Sequence, residues 1–479
     1  MALIVIFCAN LQTLYAQDNP IQGNPILNSA PHYPEQAIDA AEFASPQRYG
    51  LAVNLSDRQE SMAFYQAVYL PSNDIPSEWD GDVANCVAGS TSSAFRQAVV
   101  RRINYFRAMA GIPADVVLSE EYNRKAQLAA LMMSANEQLD HTPPDSWDCY
   151  TDDGAEAAGS SNLYLGVSSA ESIDGYIRDP GDSNAYVGHR TWILYPQIRA
   201  MGTGDIPRTE ENPEANALWV FDNLWEPRPA TREEFVSWPP PGYVPYMVVY
   251  PRWSFSFPDA DFSEASVSVM ADGVAVPLAV EAASERGRRS VLVWRMNGMG
   301  HWDQWAQPAQ DMAYNVTISN VKIGEQTRTF DYQVMLFDPD VAGDEEPPVM
   351  LNHAVGAPGS FFTVIGRDFA PNISLEVNIS QRVHATIQTD DQGRFTVVLD
   401  SDGIGRGTLT LSVTSSTLGD AVRGAAASSF TSTTASGVTY LTIDPAAPRR
   451  VQEIPANSPP PFMLMVEQEY VYLPFIPRE

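Results

Sequence analysis

The chain has 479 residues, more than one hydrophobic core usually serves, so we expect about two to four domains. Apolar residues make up 44% of the sequence and aromatic residues 10%, which indicates folded domains rather than disorder. The 59 acidic residues outnumber the 29 Lys and Arg and give a net charge of −30. Such a charge repels phosphates, so the composition argues against nucleic acid as a partner.

The first residues predict export. Ala2 to Leu11 is an apolar run too short to span a bilayer, and Ala16 is a small residue suited to a signal-peptidase cut. We therefore expect a signal peptide at 1–16 and a secreted, extracellular or surface-associated protein. An uncleaved anchor is the alternative, because the apolar run lacks preceding Lys and Arg. No later run predicts a transmembrane segment.

Removal of the signal leaves Cys86 and Cys149, an even pair in an oxidising compartment. We expect a disulfide between them. It would close a loop of about sixty residues, which the chain-entropy model values at roughly 4 kcal/mol. Two unpaired thiols that lie far apart are the alternative.

Residues 17–85 are rich in Pro and Asn, and we expect a loosely structured lead-in that packs on the adjoining domain. Apolar spacing of three or four then predicts a helix from Thr91, with Ser92 or Ser93 as N-cap and Gly111 just past its end. A second helix is predicted from Ser119 to Leu139.

A capping box of Ser168 and Glu171 predicts a third, short helix through Ile177. Residues 184–195 predict a fourth, and residues 198–204 and 217–222 read as strands. Helices succeeded by strands indicate an α+β domain at 86–236. His141 would lie just after the second helix and His189 in the fourth.

Several of these phrases together resemble the CAP superfamily of cysteine-rich secretory proteins, venom antigens and pathogenesis-related proteins, and most of all its bacterial branch. The phrases are Arg102 to Arg107, His141-Thr142, Asn162-Leu163, Gly188-His189-Arg190 and Met201 to Gly204. The resemblance covers about residues 90–225. It implies a three-layer α-β-α sandwich with a cleft of two histidines and two acids that can hold a divalent metal, and lipid or sterol binding is a theme of the family.

Carried onto this sequence, the resemblance places its histidines at His141 and His189 and one acid at Asp179. Ser161 stands where the other acid, a Glu, is expected. A Ser hydroxyl is a poor metal ligand, so the predicted set for zinc or another divalent ion is His141, His189 and Asp179. The alternative is that the two histidines are structural, joining the helices to the sheet by hydrogen bonds.

Two other chemical interpretations stay open. Ser161, His189 and Asp179 are the residue types of a hydrolase triad, although no nucleophile elbow surrounds Ser161. Asp152-Asp153-Gly154 and Asp179 to Asn184 carry oxygen ligands at short spacing, as calcium loops do, without matching an EF-hand. A solvated acidic loop is the simpler interpretation of both segments.

The rest of the chain predicts two all-β, immunoglobulin-like sandwiches, because short alternating runs are separated by turn residues. We place a Pro-rich linker at 237–245, the first sandwich at 246–338, a linker at 339–358 and the second sandwich at 359–444. Residues 445–479 are expected to be a Pro-rich linker and an apolar tail that serves as a tag or docked strand, or is disordered.

The sequence leaves two functions of different classes. The first is a secreted, non-enzymatic binding module for an extracellular lipid, glycan or protein surface, with a degenerate two-histidine cleft. The second is a metal-dependent effector or hydrolase that uses His141, His189 and Asp179. Ser161 in place of a carboxylate favours the first.

Overall fold

The computed structural model describes residues 26–27, 29–31, 50–222, 224, 227–287, 289–340, 348–380, 382–401, 407–415, 436–443, 447, 449–450 and 462–465. The expected signal peptide at 1–16 and the apolar tail from Tyr470 to Arg478 lie outside these residues. None of the helices in the described part of the chain combines the length and the hydropathy that a bilayer crossing demands.

The N-terminal half is a mixed α/β domain. Its elements are β1 (Ile26–Leu27), α1 (Arg58–Phe64), α2 (Ser93–Met109), β2 (Val117–Leu118), α3 (Glu120–Asn136), α4 (Asp152–Ser160), β3 (Ser161–Leu165), α5 (Ala170–Arg178), α6 (Gly188–Ile193), β4 (Ala200–Ile206) and β5 (Ala215–Trp219). Short helical turns succeed α1 at 65–72 and precede α6 at 182–184. The strands form one sheet in the order β1-β3-β5-β4-β2.

The predicted starts of the two long helices are confirmed. The Ser92 side chain accepts a hydrogen bond from the Phe95 N–H at 3.2 Å, and that of Ser119 accepts from the Tyr122 N–H. Helix α3 ends three residues before the predicted Leu139, because Glu137 takes a left-handed conformation with φ of 52°. His141 lies just after this end, as expected.

The sheet is the middle of three layers, as the resemblance implies. Leu163 and Leu165 of β3 point to a core shared with α3 and α4. Tyr164 between them points to the opposite core, which includes α2, α5 and α6. Alternate residues of a strand face opposite sides of a sheet, so helices cover both faces.

Two glycines in β4 allow α3 to lie directly on the sheet. A Cβ at Gly204 would lie 2.1 Å from the backbone carbon of Ala126, and one at Gly202 would lie 2.4 Å from that of Tyr122. Real Cβ contacts are essentially never this short, so any larger residue would push the helix away. The Gly-Thr-Gly phrase is therefore explained by helix packing.

Several local predictions were wrong. Residues 152–160 form helix α4 rather than an acidic loop, because the Thr151 side chain caps the Gly154 N–H at 3.0 Å. Helix α5 is capped by Ser169 rather than Ser168, whose hydroxyl donates to Glu214. Helix α6 covers only 188–193, and the lead-in contains helix α1, whose Phe64 is fully buried.

The disulfide between Cys86 and Cys149 is present, with the two Cα atoms 5.1 Å apart. It joins the segment before α2 to the segment between α3 and α4. The disulfide therefore links the chain that enters α2 to the chain that leaves α3.

The next region is built from two sheets. Its strands are β6 (Val236–Trp238), β7 (Gly242–Pro245), β8 (Arg252–Ser256), β9 (Ala260–Asp261), β10 (Ser266–Ala271), β11 (Val274–Ala275), β12 (Leu278–Ala283), β13 (Val291–Met296), β14 (Met312–Ile323) and β15 (Gln326–Phe337). The sheets have the orders β11-β10-β14-β15-β7 and β12-β13-β8-β6, and β9 also pairs with β14. They pack face to face, as Trp253 against Tyr314 at 5.6 Å shows.

The last region also has two sheets around one core. Its strands are β16 (Val349–Leu351), β17 (Val355–Gly356), β18 (Phe361–Gly366), β19 (Ser374–Ile379), β20 (Arg382–Gln388), β21 (Phe395–Asp400), β22 (Gly407–Ser415), β23 (Ser436–Ile443) and β24 (Phe462–Met465). The sheet orders are β16-β18-β21-β24 and β17-β23-β22-β19-β20.

The segments expected to be linkers contribute strands. Within 237–245, β6 ends at Trp238 and β7 begins at Gly242, and both pair with strands of the first two-sheet region. Within 339–358, β16 and β17 belong to the second region, and β24 from the expected tail pairs with β21. Proline and polar composition indicated linkers, but Pro is compatible with edge strands and strand ends.

The second and third regions both pack against the first. Trp238 of β6 is fully buried against Phe106 of α2, with ring centroids 5.0 Å apart. Tyr440 of β23 contacts Phe64 of α1 at 4.7 Å, and its hydroxyl donates to the Ala52 carbonyl at 2.9 Å. The regions therefore share apolar contacts rather than being joined only by the chain.

Arg107 in α2 anchors the segment between α6 and β4. Its side chain is fully buried. It donates hydrogen bonds at 2.7–3.1 Å to four carbonyl oxygens, those of Pro113, Ile193, Tyr195 and Ile198. A planar guanidinium can meet four acceptors at once, whereas an ammonium cannot.

We predict that Arg107→Lys lowers the free energy of unfolding by about 2–4 kcal/mol, because several buried carbonyls lose their donor. Urea unfolding followed by tryptophan fluorescence measures the change. Arg124→Lys is the control, since Arg124 is exposed and pairs with Asp153 at the surface. Equal stability of the two variants would contradict the anchoring role.

Candidate functional site

Asp179 and His189 form a buried pair. The Asp179 Oδ1 atom lies 2.7 Å from His189 Nδ1, and both side chains are wholly inaccessible to solvent. An ionised carboxylate only accepts hydrogen bonds, so Nδ1 carries the proton. The other oxygen, Oδ2, accepts from the backbone N–H groups of His189 at 2.9 Å and Arg190 at 3.3 Å. Asp179 thus caps helix α6 and orients the imidazole.

The other sides of His189 are packed against the sheet. Its ring stacks on Tyr176 of α5, with centroids 5.6 Å apart and planes 20° apart. Its carbonyl accepts a hydrogen bond from the Asn162 side chain of β3 at 3.1 Å. The Nε2 atom is buried and has no hydrogen-bond partner among the described residues.

Tyr176 links the pair to the centre of the sheet. Its hydroxyl donates to the Asn216 side chain at 2.7 Å and lies 3.0 Å from the Asn162 carbonyl. Burial raises the pKa of Tyr176 well above its ordinary value, so the phenol stays protonated. The pair therefore sits at the end of a polar network between α5, α6 and two strands.

His141 belongs to different surroundings. Its Nδ1 lies 2.7 Å from the Ala158 carbonyl oxygen at the end of α4, and its Nε2 contacts the Ser29 carbonyl oxygen. Each ring nitrogen faces a backbone oxygen, which occupies the direction from which a metal ion would have to bind. His141 therefore joins α4 to the N-terminal segment.

Ser161, at the position where the resemblance expects an acid, is the first residue of β3 and is fully buried. Its hydroxyl has no hydrogen-bond partner among the described residues. Asn162 next to it supports the His189 carbonyl. Asn162 thus supports the network from the sheet. Neither Ser161 nor Asn162 supplies the negative charge that the expected acid would give to a metal site.

The three predicted ligands do not form a metal centre. In the described part of the chain, no three His, Cys, Asp or Glu side chains come together as a group that could hold a metal ion. The Asp179 carboxylate is occupied by His189 and by two backbone N–H groups, and both ring nitrogens of His141 face backbone carbonyls instead. The residues therefore do not fit zinc or another divalent metal.

The acidic segments are not arranged as calcium loops. Asp152 and Asp153 lie in the first turn of α4, where acids interact favourably with the helix dipole. Asp153 also pairs with Arg124 at 2.8 Å, and these bonds lower the pKa of its carboxyl group. Asp179 faces inward to His189, whereas Asp182 is fully exposed.

The N-terminal segment covers this region. The sequence predicts that the lead-in packs on this domain, but it does not predict which residues the segment contacts. Strand β1 pairs with β3, and Ser29 then contacts His141. Ala30 packs on Gly188, where an added Cβ would lie 2.6 Å from the Ala30 Cβ. The Pro31 carbonyl accepts from the Trp192 indole at 2.9 Å. These residues therefore lie against β3, His141 and α6.

Arg190 connects the pair to the neighbouring sandwich. The sequence analysis named Arg190 only as part of the Gly-His-Arg phrase and did not predict this role. Its guanidinium donates to the Ser254 hydroxyl at 2.8 Å and to the Arg252 carbonyl at 2.9 Å, both in β8. Arg252 in turn donates to the Asp179 carbonyl. The two domains are thus joined by buried hydrogen bonds at this point.

Glu281 holds the outer end of this connection. Its carboxylate accepts from Arg252 Nε and from Arg295 Nε, each at 2.5 Å. Burial acts to raise the pKa of Glu281, but the hydrogen bonds from Arg252 and Arg295 outweigh it and the pKa is lowered. Glu281 is therefore a charged clamp on two arginines.

We predict that Asp179→Ala lowers the free energy of unfolding by about 3–5 kcal/mol, because it leaves His189 and the start of α6 without an acceptor in a buried position. His141→Ala should cost less, since His141 is only partly buried. Asp182→Ala is the matched control, and we expect a change within about 0.5 kcal/mol. Urea unfolding would contradict a structural role if Asp179→Ala behaved like Asp182→Ala.

The lowered pKa of Glu281 predicts a pH dependence. Its stabilisation is complete above its unfolded pKa of about 4.3 and is lost as the pH falls through the lower folded value. The stability difference between wild type and Glu281→Gln should therefore be largest at neutral pH and shrink below about pH 4. Thermal unfolding across pH tests this; a difference that is constant with pH would contradict it.

Comparison with known proteins agrees with the architecture of the first domain. Residues 100–220 match the model of the Cysteine-rich secretory protein family, CAP. A search of curated proteins finds no match. The match spans α2 to the strands of the sheet, the same elements that hold Asp179 and His189.

The chain also has weak similarity to solved structures. A Yersinia pseudotuberculosis adhesin, InvE, is 13% identical, with 40% of this chain and 53% of that chain covered and a TM-score of 0.14. Fibronectin(III)-like modules of Clostridium thermocellum CbhA are 10% identical, with 40% of this chain and 85% of that chain covered and a TM-score of 0.13. The E. coli chaperone DraB is 10% identical, with 34% of this chain and 81% of that chain covered and a TM-score of 0.14. Likenesses this weak carry no argument, so the family match stands alone: this chain carries a CAP domain at residues 100–220, followed by β-sheet regions.

Proposed function

We propose that this protein is a secreted, non-enzymatic binding protein. Its CAP domain acts as an extracellular interaction module whose two-histidine cleft is degenerate. The observation that carries the proposal is the complete burial of the Asp179–His189 pair, which caps a helix and supports the sheet. A residue pair that the fold needs for its own hydrogen bonds is a poor candidate for a reactive centre.

The hydrolase alternative has one supporting feature. His189 is oriented by Asp179 as a general base would be, and its Nε2 and the Ser161 hydroxyl are both without partners among the described residues. Both side chains are, however, wholly buried. A nucleophile and base must reach a substrate carbonyl, and this arrangement offers neither of them to solvent. We therefore favour binding over catalysis.

A groove between the first and last domains offers a place for a ligand. It encloses about 590 Å³ and is lined by α2, β2, β22 and β23. Its lining combines guanidinium, amide and hydroxyl groups, among them Arg96, Asn104 and Thr410, with apolar residues such as Val117, which is 61% exposed. Mixed polarity of this kind suits a glycan or peptide segment better than a lipid tail. We propose that the extracellular ligand binds there.

The domain division and location belong to the same proposal. A disulfide is typical of exported proteins, and Cys86–Cys149 supports an extracellular setting for this chain. The two-sheet regions after the CAP domain would be immunoglobulin-like modules that act as spacers or adhesive units. We place their boundary with the CAP domain before β6, at about residue 235, because β6 pairs with β8.

Zinc, cobalt and calcium titrations of the full chain by calorimetry test the proposal. We expect no saturable micromolar binding that depends on His141 or His189, because their nitrogens are committed or buried. His141→Ala and His301→Ala serve as matched variants, since both histidines are partly exposed and His301 lies in the sandwich region. Micromolar binding that His141→Ala alone abolishes would contradict the structural role of the histidines.

Hydrolysis of p-nitrophenyl acetate provides the second arm. We expect the rate with wild type to equal that with Ser161→Ala, because the Ser161 hydroxyl is inaccessible. A rate that falls by at least about ten-fold in Ser161→Ala, with unchanged stability, would support the hydrolase instead.

A further inference from the structure

A small cavity with an unusual lining lies where the end of α6 meets β6 and β8. Its volume is about 40 Å³, and one water molecule needs about 10–15 Å³ on the same measure. Its polar lining is three arginines and several hydroxyl groups: Arg190, Arg228, Arg289, Ser237, Ser254 and Ser256. No Asp or Glu occurs among the lining residues in the described part of the chain.

Arg228 has an unused hydrogen-bond donor in this cavity. Its Nη2 atom is buried without a hydrogen-bond partner in the described structure. Burial lowers the pKa of Arg228 to about 10, although the nearby Tyr195 acts in the opposite direction. The guanidinium still carries its charge at neutral pH, and a buried N–H donor without an acceptor is costly.

Arg190 is held in place by neutral groups. Arg190 donates to the Ile177 carbonyl at 2.6 Å and to the Ser254 hydroxyl at 2.8 Å. The nearest acid, Asp179, is occupied by His189 and by backbone N–H groups. Arg289 stacks over the Trp192 indole, 3.9 Å from the ring centroid. Two positioned cations therefore flank Arg228.

We propose that this cavity binds a small oxyanion of the phosphate or sulfate type, with Arg228 as the principal donor and Arg289 and the serine hydroxyls completing the shell. Guanidinium groups match the oxygen spacing of such anions, and charge-assisted hydrogen bonds are about twice as strong as neutral ones. The bound anion would offset the arginine charges at the junction between the CAP domain and the first sandwich.

The ligand could be a free anion or the head of an ester. A second cavity of about 480 Å³ shares Thr191 and Arg289 with the first and is also lined by Tyr186, Arg286 and one acid, Glu285. An organic group attached to the anion has room there. Both sources present the same oxyanion to Arg228, so one site serves both.

Calorimetric titration of the full chain with inorganic phosphate, at constant ionic strength set with chloride, tests the site. We expect saturable binding to wild type and to Arg124→Gln, an exposed arginine far from the cavity. Arg228→Gln should raise the dissociation constant by at least about ten-fold, and Arg228→Lys, which keeps the charge, should fall between them. Lys also tests whether a loss reflects misfolding, because it preserves the buried charge that the fold already tolerates.

Absence of saturable heat with wild type at millimolar phosphate, or equal affinity of Arg228→Gln and Arg124→Gln, would overturn the proposal. Titration with sulfate and with glycerol 3-phosphate separates the sources. Similar affinity for all three identifies a free oxyanion as the ligand, whereas tighter binding of the ester assigns the second cavity to its organic group.

Discussion

The buried hydrogen bonds of Asp179 are the constraint on which the first domain depends. One carboxyl oxygen fixes the His189 ring and the other holds the first backbone N–H groups of α6. A buried carboxylate without such donors would be strongly unfavourable, so the loop, the helix and the histidine have to keep one arrangement. Asp179 itself takes a left-handed conformation, with φ of 53°, and these bonds maintain it.

Three other parts of the molecule are built around that arrangement. Tyr176 and Asn162 connect it to the sheet, Arg190 and Arg252 connect it to β8 of the next domain, and residues 29–31 cover its outer side. The result is a region that in the CAP resemblance would be an open, metal-binding cleft and that in this chain is part of the core. The two binding sites that we propose lie elsewhere, in the groove beside α2 and in the arginine-lined cavity.

Much of this fold could be predicted because the signals are local. Ser92 and Ser119 mark helix starts through their own side chains, and the apolar spacing of α2 predicts its length. The disulfide could be predicted from the number of cysteines and the compartment. The three-layer domain was implied by the CAP resemblance of the phrases around His141 and His189, and residues 100–220 match the family model.

The features that could not be predicted depend on contacts between distant residues. Thr151 was not recognised as a cap, so α4 was interpreted as an acidic loop. The strands around Pro239 and Pro245 pair with partners far along the chain, and proline composition alone does not show this. The CAP resemblance placed His141 and His189 in one cleft. In the structure, His189 is buried beside Asp179, whereas His141 contacts the Ala158 and Ser29 carbonyls, so the two histidines have different roles. No pattern in the neighbouring sequence indicates that Arg228 lines a cavity.

A double-mutant cycle on Asp179→Asn and His189→Gln, measured by urea unfolding, tests the central claim most directly. If the pair is a structural unit, the two changes will be coupled by about 1–3 kcal/mol in the free energy of unfolding. Additivity within about 0.5 kcal/mol would show that the two side chains act independently, and would contradict the account.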